Sequence, residues 1–122
     1  MQKQIVMAEN RLFQRERNAM LLRNQGYEVF EAEDGQKPWE HINVNSLDLL
    51  VTDTQMPNMN GTTLINTQRQ EGYQVPIIVV ASNFDPSQVT DYNGQIEYLQ
   101  KPFARRDDED AFVKKVQELL RE

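Results

Sequence analysis

Five short apolar runs, each followed by a polar segment of helical length, constrain this chain more than any other feature. The runs are IVMA (5–8), YEVF (27–30), LLV (49–51), IIVVA (77–81) and IEYL (96–99). The segments that follow them span 10–25, 34–42, 61–71, 85–92 and 106–121. Strand and helix alternating in this way is the pattern of a parallel α/β sheet. IVMA, LLV and IIVVA are apolar throughout, as strands covered on both faces must be. YEVF and IEYL each carry a glutamate, which suits a sheet edge. The expected fold is therefore a doubly wound, five-stranded parallel sheet in the order 2-1-3-4-5, with helices on both faces. In that order the winding reverses between strands one and three, and a crevice opens at their carboxyl ends.

The helical segments differ in quality. In the last one Phe112, Val113, Val116, Leu119 and Leu120 form one apolar stripe, and the acidic run 107–110 at its start complements the helix dipole. Gly26 is placed to end the first helix, because glycine accepts the left-handed cap conformation. The second contains Pro38, tolerable in a first turn whose backbone donors lack helical partners anyway. The third has only Leu64 and Ile65 as strong anchors, and the fourth is short and polar, so it is expected to be the least stable element.

With 122 residues the chain is expected to form one domain over 1–122. It has no cysteine, which excludes disulfides and thiolate metal sites and agrees with a cytoplasmic location. A formal charge of −6 with no basic stripe argues against direct nucleic-acid binding by this domain. No apolar run approaches the roughly 18 residues of a membrane span, so no membrane association is expected.

The chemistry gathers at the crevice. Asp53 closes strand three, although burying an unpaired carboxylate costs several kcal/mol or more. Glu9 and Asn10 follow strand one, and Lys101 follows strand five ahead of Pro102. Two carboxylates and an amide are hard oxygen ligands of the kind that suits Mg²⁺, and a lysine can pair with Asp53 or with an anion attached to it. An aspartate between a metal and a lysine suits phosphoryl transfer, with the carboxylate as nucleophile and the cations neutralising charge. Asn10 has a simpler alternative as the N-cap of the first helix, and Glu9 as an ion-pair partner of Lys101.

In order along the chain, IVMAEN, GYEVFEAEDG, DLLVTDTQMPNMNG, PIIVVAS and YLQKPF resemble a receiver domain of a two-component response regulator, a flavodoxin-like fold. The resemblance spans nearly the whole chain, and DTQMPNMNG together with KPF is its most specific part. It implies a phosphoacceptor at Asp53, an essential lysine at Lys101, and Mg²⁺ bound by Glu9, Asn10, Asp53 and the backbone carbonyl of Gln55. It also implies a switch aromatic at Tyr98, a histidine kinase or phosphotransfer protein as donor, and a downstream protein or output domain as receiver of the signal. No independent enzymatic turnover is implied beyond self-phosphorylation.

Three departures stand against the family pattern. The usual acidic pair after strand one is Glu9–Asn10, one charge short. The usual Ser or Thr at the end of strand four is Ala81, and strand alternation turns the next residue, Ser82, to the opposite face unless a bulge intervenes. The segment before Tyr98 and the start of the last helix, both on the family's output surface, are also altered. The alternative function is therefore a pseudo-receiver, a protein–protein interaction module that works without phosphorylation. A flavin carrier on the same fold is disfavoured, because AENRLFQ lacks the glycines and hydroxyls that cradle a phosphate. The single histidine, His41, and Trp39 are assigned no role in the site.

Overall fold

The computed structural model describes residues 2–34, 46–57, 59–89, 95–101 and 105–121. Pro38, Trp39, His41 and Pro102, and with them the second helical segment, lie outside the described residues. Five strands form the sheet: β1 (Gln4–Ala8), β2 (Glu28–Ala32), β3 (Leu49–Thr52), β4 (Ile77–Ala81) and β5 (Ile96–Gln100). Among the described residues three α-helices accompany them, α1 (Leu12–Arg23), α2 (Gly61–Gln70) and α3 (Arg106–Leu119). Every strand pair is parallel and the order is β2-β1-β3-β4-β5, as the distribution of glutamates among the runs predicts.

The period of two along the strands divides the core into two layers. Ile5, Met7, Leu49, Val51, Ile78 and Val80 face α1 and α3, where Leu22, Phe112 and Val116 meet them. Val6, Ala8, Leu50, Ile77, Val79 and Ala81 face the other way, onto Leu64 and Ile65 of α2. Complete burial of each large side chain here is worth roughly 1.5–3 kcal/mol. Two anchors suffice for α2 because both are fully buried and because Asn60 caps its start, accepting from the Thr63 amide at 2.8 Å. Buried Arg69 secures its other end, donating to the carbonyls of Tyr73 at 3.1 Å and Val75 at 2.9 Å.

Helix ends follow backbone chemistry in most places. Gly26 takes φ +93° just after α1, where the sequence places it, and Gly72 does the same after α2. At α3 the Asp108 carboxylate accepts from the Arg105 amide at 3.1 Å, and three acidic residues occupy the first turn. At α1 the expectation fails. Its N-cap position falls on Arg11 rather than Asn10, and no side chain caps it. In the fourth helical segment the described part is a single 3-10 turn, Pro86–Gln88, with the Asp85 carboxylate accepting from the Ser87 amide at 3.0 Å. Those hydrogen bonds from the Ser87 hydroxyl and amide hold the Asp85 carboxyl below its ordinary pKa.

Candidate functional site

Three backbone hydrogen bonds carry the parallel ladder one residue past the strand ends. The Glu9 amide donates to Ala32, the Asp53 amide to Ala8 and the Lys101 amide to Ala81, at 2.9, 3.0 and 2.9 Å. Each of the three residues directly follows the last residue of a strand, so extending the ladder sets all three along one rim. The four polar residues that the sequence brings to the crevice, Glu9, Asn10, Asp53 and Lys101, are found there together.

Lys101 is the centre of the arrangement. Its ammonium donates to Asp53 Oδ2 at 2.6 Å and also to Glu9 Oε1. The other oxygen of Asp53 is held by the chain itself, accepting from the amides of Thr54 at 2.6 Å and Gln55 at 3.2 Å. Asp53 is 9% exposed and Glu9 3%. Glu9 Oε2 accepts from the Arg11 amide at 3.3 Å, and the Glu9 carbonyl accepts from the Arg15 guanidinium at 2.9 Å. Both carboxylates are thereby received, and the ammonium separates two like charges that could not otherwise share this space.

A cavity of about 110 Å³ opens over Asp53, bordered also by Asn10, Arg11, Gln55, Ser82 and Lys101. Glu9 does not border it; it lies behind Lys101 as the ion-pair partner. Mg²⁺ takes six oxygen ligands in near-ideal octahedral geometry and keeps several waters. The Asp53 carboxylate, the Asn10 amide oxygen and the Gln55 carbonyl are correct in kind for such an ion. They bring one carboxylate, and among the described residues no group of three or more acidic, histidine or cysteine side chains is arranged to hold a metal.

The remaining predicted positions separate. Ala81 is fully buried among the apolar residues facing α2 and offers no hydrogen-bonding group. Ser82 borders the cavity. It lies past the last ladder pair, Ala81↔Gln100, where strand alternation no longer dictates the side a residue takes. Tyr98 is 39% exposed, and its hydroxyl donates to the Ala81 carbonyl at 3.1 Å, with the Ser82 carbonyl at 3.4 Å. Its ring lies 5.6 Å from that of Phe84. Tyr98 is thus attached to the strand end beside the cavity.

Sequence reasoning missed three contributors. Thr54 donates its hydroxyl to the Asn83 carbonyl at 2.9 Å, joining the loops that follow β3 and β4. Gly61 lies so close to Asp53 that a Cβ would stand 1.9 Å from the Asp53 carbonyl oxygen. The signal for Gly61 was available, since glycine is a poor first helical residue unless something approaches it closely. Arg11 borders the cavity with no better sequence signal than its place beside Asn10.

With this geometry in hand, comparison with known proteins is decisive. The family described as "Response regulator receiver domain" matches residues 5–117. The chain belongs to that family. It is 33% identical over 103 residues to the CAI-1 autoinducer sensor kinase/phosphatase CqsS of Vibrio cholerae, covering 80% of this chain and 14% of that protein. It is 32% identical over 106 residues to the transcriptional regulatory protein CrdR of Helicobacter pylori, covering 84% of this chain and 50% of that one. The chain thus spans half or less of these two curated relatives. Among solved structures, a putative response regulator from Chloroflexus aurantiacus J-10-fl superposes with a TM-score of 0.81 at 25% identity, covering all of both chains. Vibrio cholerae chemotaxis protein CheY4 shares the fold with a TM-score of 0.77 at 23% identity, covering 98% of this chain and 100% of that one. Among the described residues no helix is long and apolar enough to cross a membrane.

Proposed function

We propose that this receiver domain is a cytoplasmic phosphoacceptor, taking a phosphoryl group onto Asp53 from a histidine kinase or phosphotransfer protein and altering its affinity for a downstream partner. The observation behind this reading is that Asp53 and Lys101, 48 residues apart, meet at 2.6 Å under a cavity. A carboxylate oxygen of Asp53 attacks phosphorus, the P–N bond of the donor breaks, and the imidazole leaves with the electron pair. The Lys101 ammonium neutralises charge on the transferring group, which is most of what this chemistry requires. Mg²⁺ would be held by Asp53, Asn10 and the Gln55 carbonyl, and when bound it supplies further charge neutralisation. With one carboxylate and one amide its affinity is expected to be weak. The domain turns over no substrate of its own.

A second reading, the pseudo-receiver, draws on Ala81, which leaves the end of β4 without a hydroxyl for a phosphoryl oxygen. One experiment separates the two. Incubation with a small phosphodonor and Mg²⁺, followed by intact mass measurement, is expected to add one phosphoryl group to the wild type and none to Asp53→Asn. An unmodified wild type at saturating donor rejects the phosphoacceptor and leaves the interaction module.

A further inference from the structure

The charges around the cavity differ from those of a pocket built for a metal ion. Among the described residues Asp53 is the one carboxylate that borders it, whereas two basic residues do, Lys101 and Arg11. Glu9, the nearest other carboxylate, is bound to Lys101 and to the Arg11 amide. Asn10 brings an amide where a metal would gain most from charge.

Arg11 also stands apart from the arginines that follow it along α1. Arg15 holds Glu31, Arg17 holds Glu109, and Arg23 holds Glu31 and the Val29 carbonyl. Among the described residues the Arg11 guanidinium has no such partner, although its backbone is fixed on both sides. Its amide donates to Glu9 Oε2, and its carbonyl accepts from the Arg15 amide at 2.9 Å. Arg11 borders the same small polar cavity as Lys101, and a guanidinium carried on an anchored backbone has the charge and the fork of donors to grip a tetrahedral oxyanion through two parallel hydrogen bonds.

We propose that Arg11 binds the oxygens of the incoming phosphoryl group, so that the site takes up a phosphoryl-type anion and modifies Asp53 without a divalent cation. This rests on the reading of Asp53 as acceptor. Arg11 brings, beside Lys101, positive charge that a metal would otherwise bring. With phosphoramidate as donor, a bond forms between an Asp53 oxygen and phosphorus while the P–N bond breaks. The electron pair goes to the already protonated nitrogen, which leaves as ammonia.

The test compares wild type, Arg11→Gln, Arg11→Lys and Asp53→Asn with phosphoramidate, each in EDTA and in Mg²⁺, with the phosphoryl adduct followed by intact mass. The wild type is expected to be modified in EDTA within about tenfold of its rate in Mg²⁺. Arg11→Gln should slow the EDTA reaction by about 10- to 100-fold, less than the 10²–10³ typical of a fully enclosed oxyanion donor because Arg11 is exposed. Arg11→Lys should recover part of the loss, which a purely structural role for Arg11 would not produce. Modification of the wild type in Mg²⁺ but not in EDTA overturns the proposal and leaves Asp53 as acceptor. Equal EDTA rates for wild type and Arg11→Gln overturn it as well. No adduct under either condition removes both readings.

Discussion

At the scale of single residues, Asp53 can end a buried strand because its surroundings receive it. Lys101 takes one oxygen and the Thr54 and Gln55 amides take the other. Hydrogen bonds of a carboxylate to an ammonium and to amides are among the stronger ones available to a protein. That Asp53 and Lys101 meet at the rim was legible in the sequence because each lies in a contiguous block, DTQMPNMNG and KPF. The division of labour between Glu9 and Asn10 was not, because it depends on which way a glutamate turns at the end of β1. Gly61 yields a prediction at the same scale. Gly61→Ala must push a Cβ against the Asp53 carbonyl, with neighbouring contacts to Asp53 and Thr54 at 2.8 and 3.0 Å, all of them backbone. Backbone cannot swing aside as a side chain can, so a loss of about 1–3 kcal/mol is expected in urea unfolding, together with slower modification of Asp53. A variant as stable as the wild type would mean that α2 shifts freely against the loop at Asp53 and Thr54.

At the scale of elements, strands were read better than helices. IIVVA gives β4 at both of its bounds, and the other four runs are extended or shifted by one or two residues. Apolar runs covered on both faces leave little choice of boundary, whereas helix ends depend on capping partners that periodicity does not name. The α1 start is an instance, displaced from Asn10 to an uncapped Arg11. What joins α1 to α3 was equally invisible, because Arg17 and Glu109 lie 92 residues apart. The guanidinium meets the carboxylate through two hydrogen bonds, at 2.7 and 2.9 Å. That contact lowers the Glu109 pKa through the hydrogen bond from Arg17, and raises the Arg17 pKa through its hydrogen bond to Glu109. A carboxyl with a lowered folded-state pKa stabilises the fold above its unfolded pKa, and that contribution is lost as pH falls through the folded value. Glu109→Gln should therefore be less stable than wild type at neutral pH, and the difference should shrink on acidification below the ordinary carboxylate range. Thermal unfolding of both proteins across that range measures it. A gap independent of pH would assign the effect to packing instead. Added salt should narrow the neutral-pH gap, because Arg17 is well exposed and the pair is open to screening.

At the scale of the whole molecule, the order β2-β1-β3-β4-β5 turns five separate strand ends into one rim, and Lys101 is where three of them are tied. Its ammonium, at the end of β5, reaches the acids that follow β1 and β3, with β4 lying between β3 and β5. The contact of Lys101 with Asp53 and Glu9 therefore also ties the carboxyl edge of the sheet together. Lys101→Met would leave Glu9 and Asp53 close to each other with no cation between them. Removing one partner of an enclosed ion pair typically costs about 3–5 kcal/mol, and here the cavity admits water, so about 2–3 kcal/mol is expected. Most of that loss is repulsion between two carboxylates rather than lost packing. Asp53→Asn in the Lys101→Met background should therefore recover part of it, although the same substitution in wild type removes an ion pair. Urea unfolding of the four proteins, followed by far-UV ellipticity, closes the cycle. A departure from additivity of about 1 kcal/mol or more is expected for groups in direct contact. Additive losses would mean that the acids are stabilised independently by their amide donors, and that Lys101 serves the chemistry of the rim without holding it together.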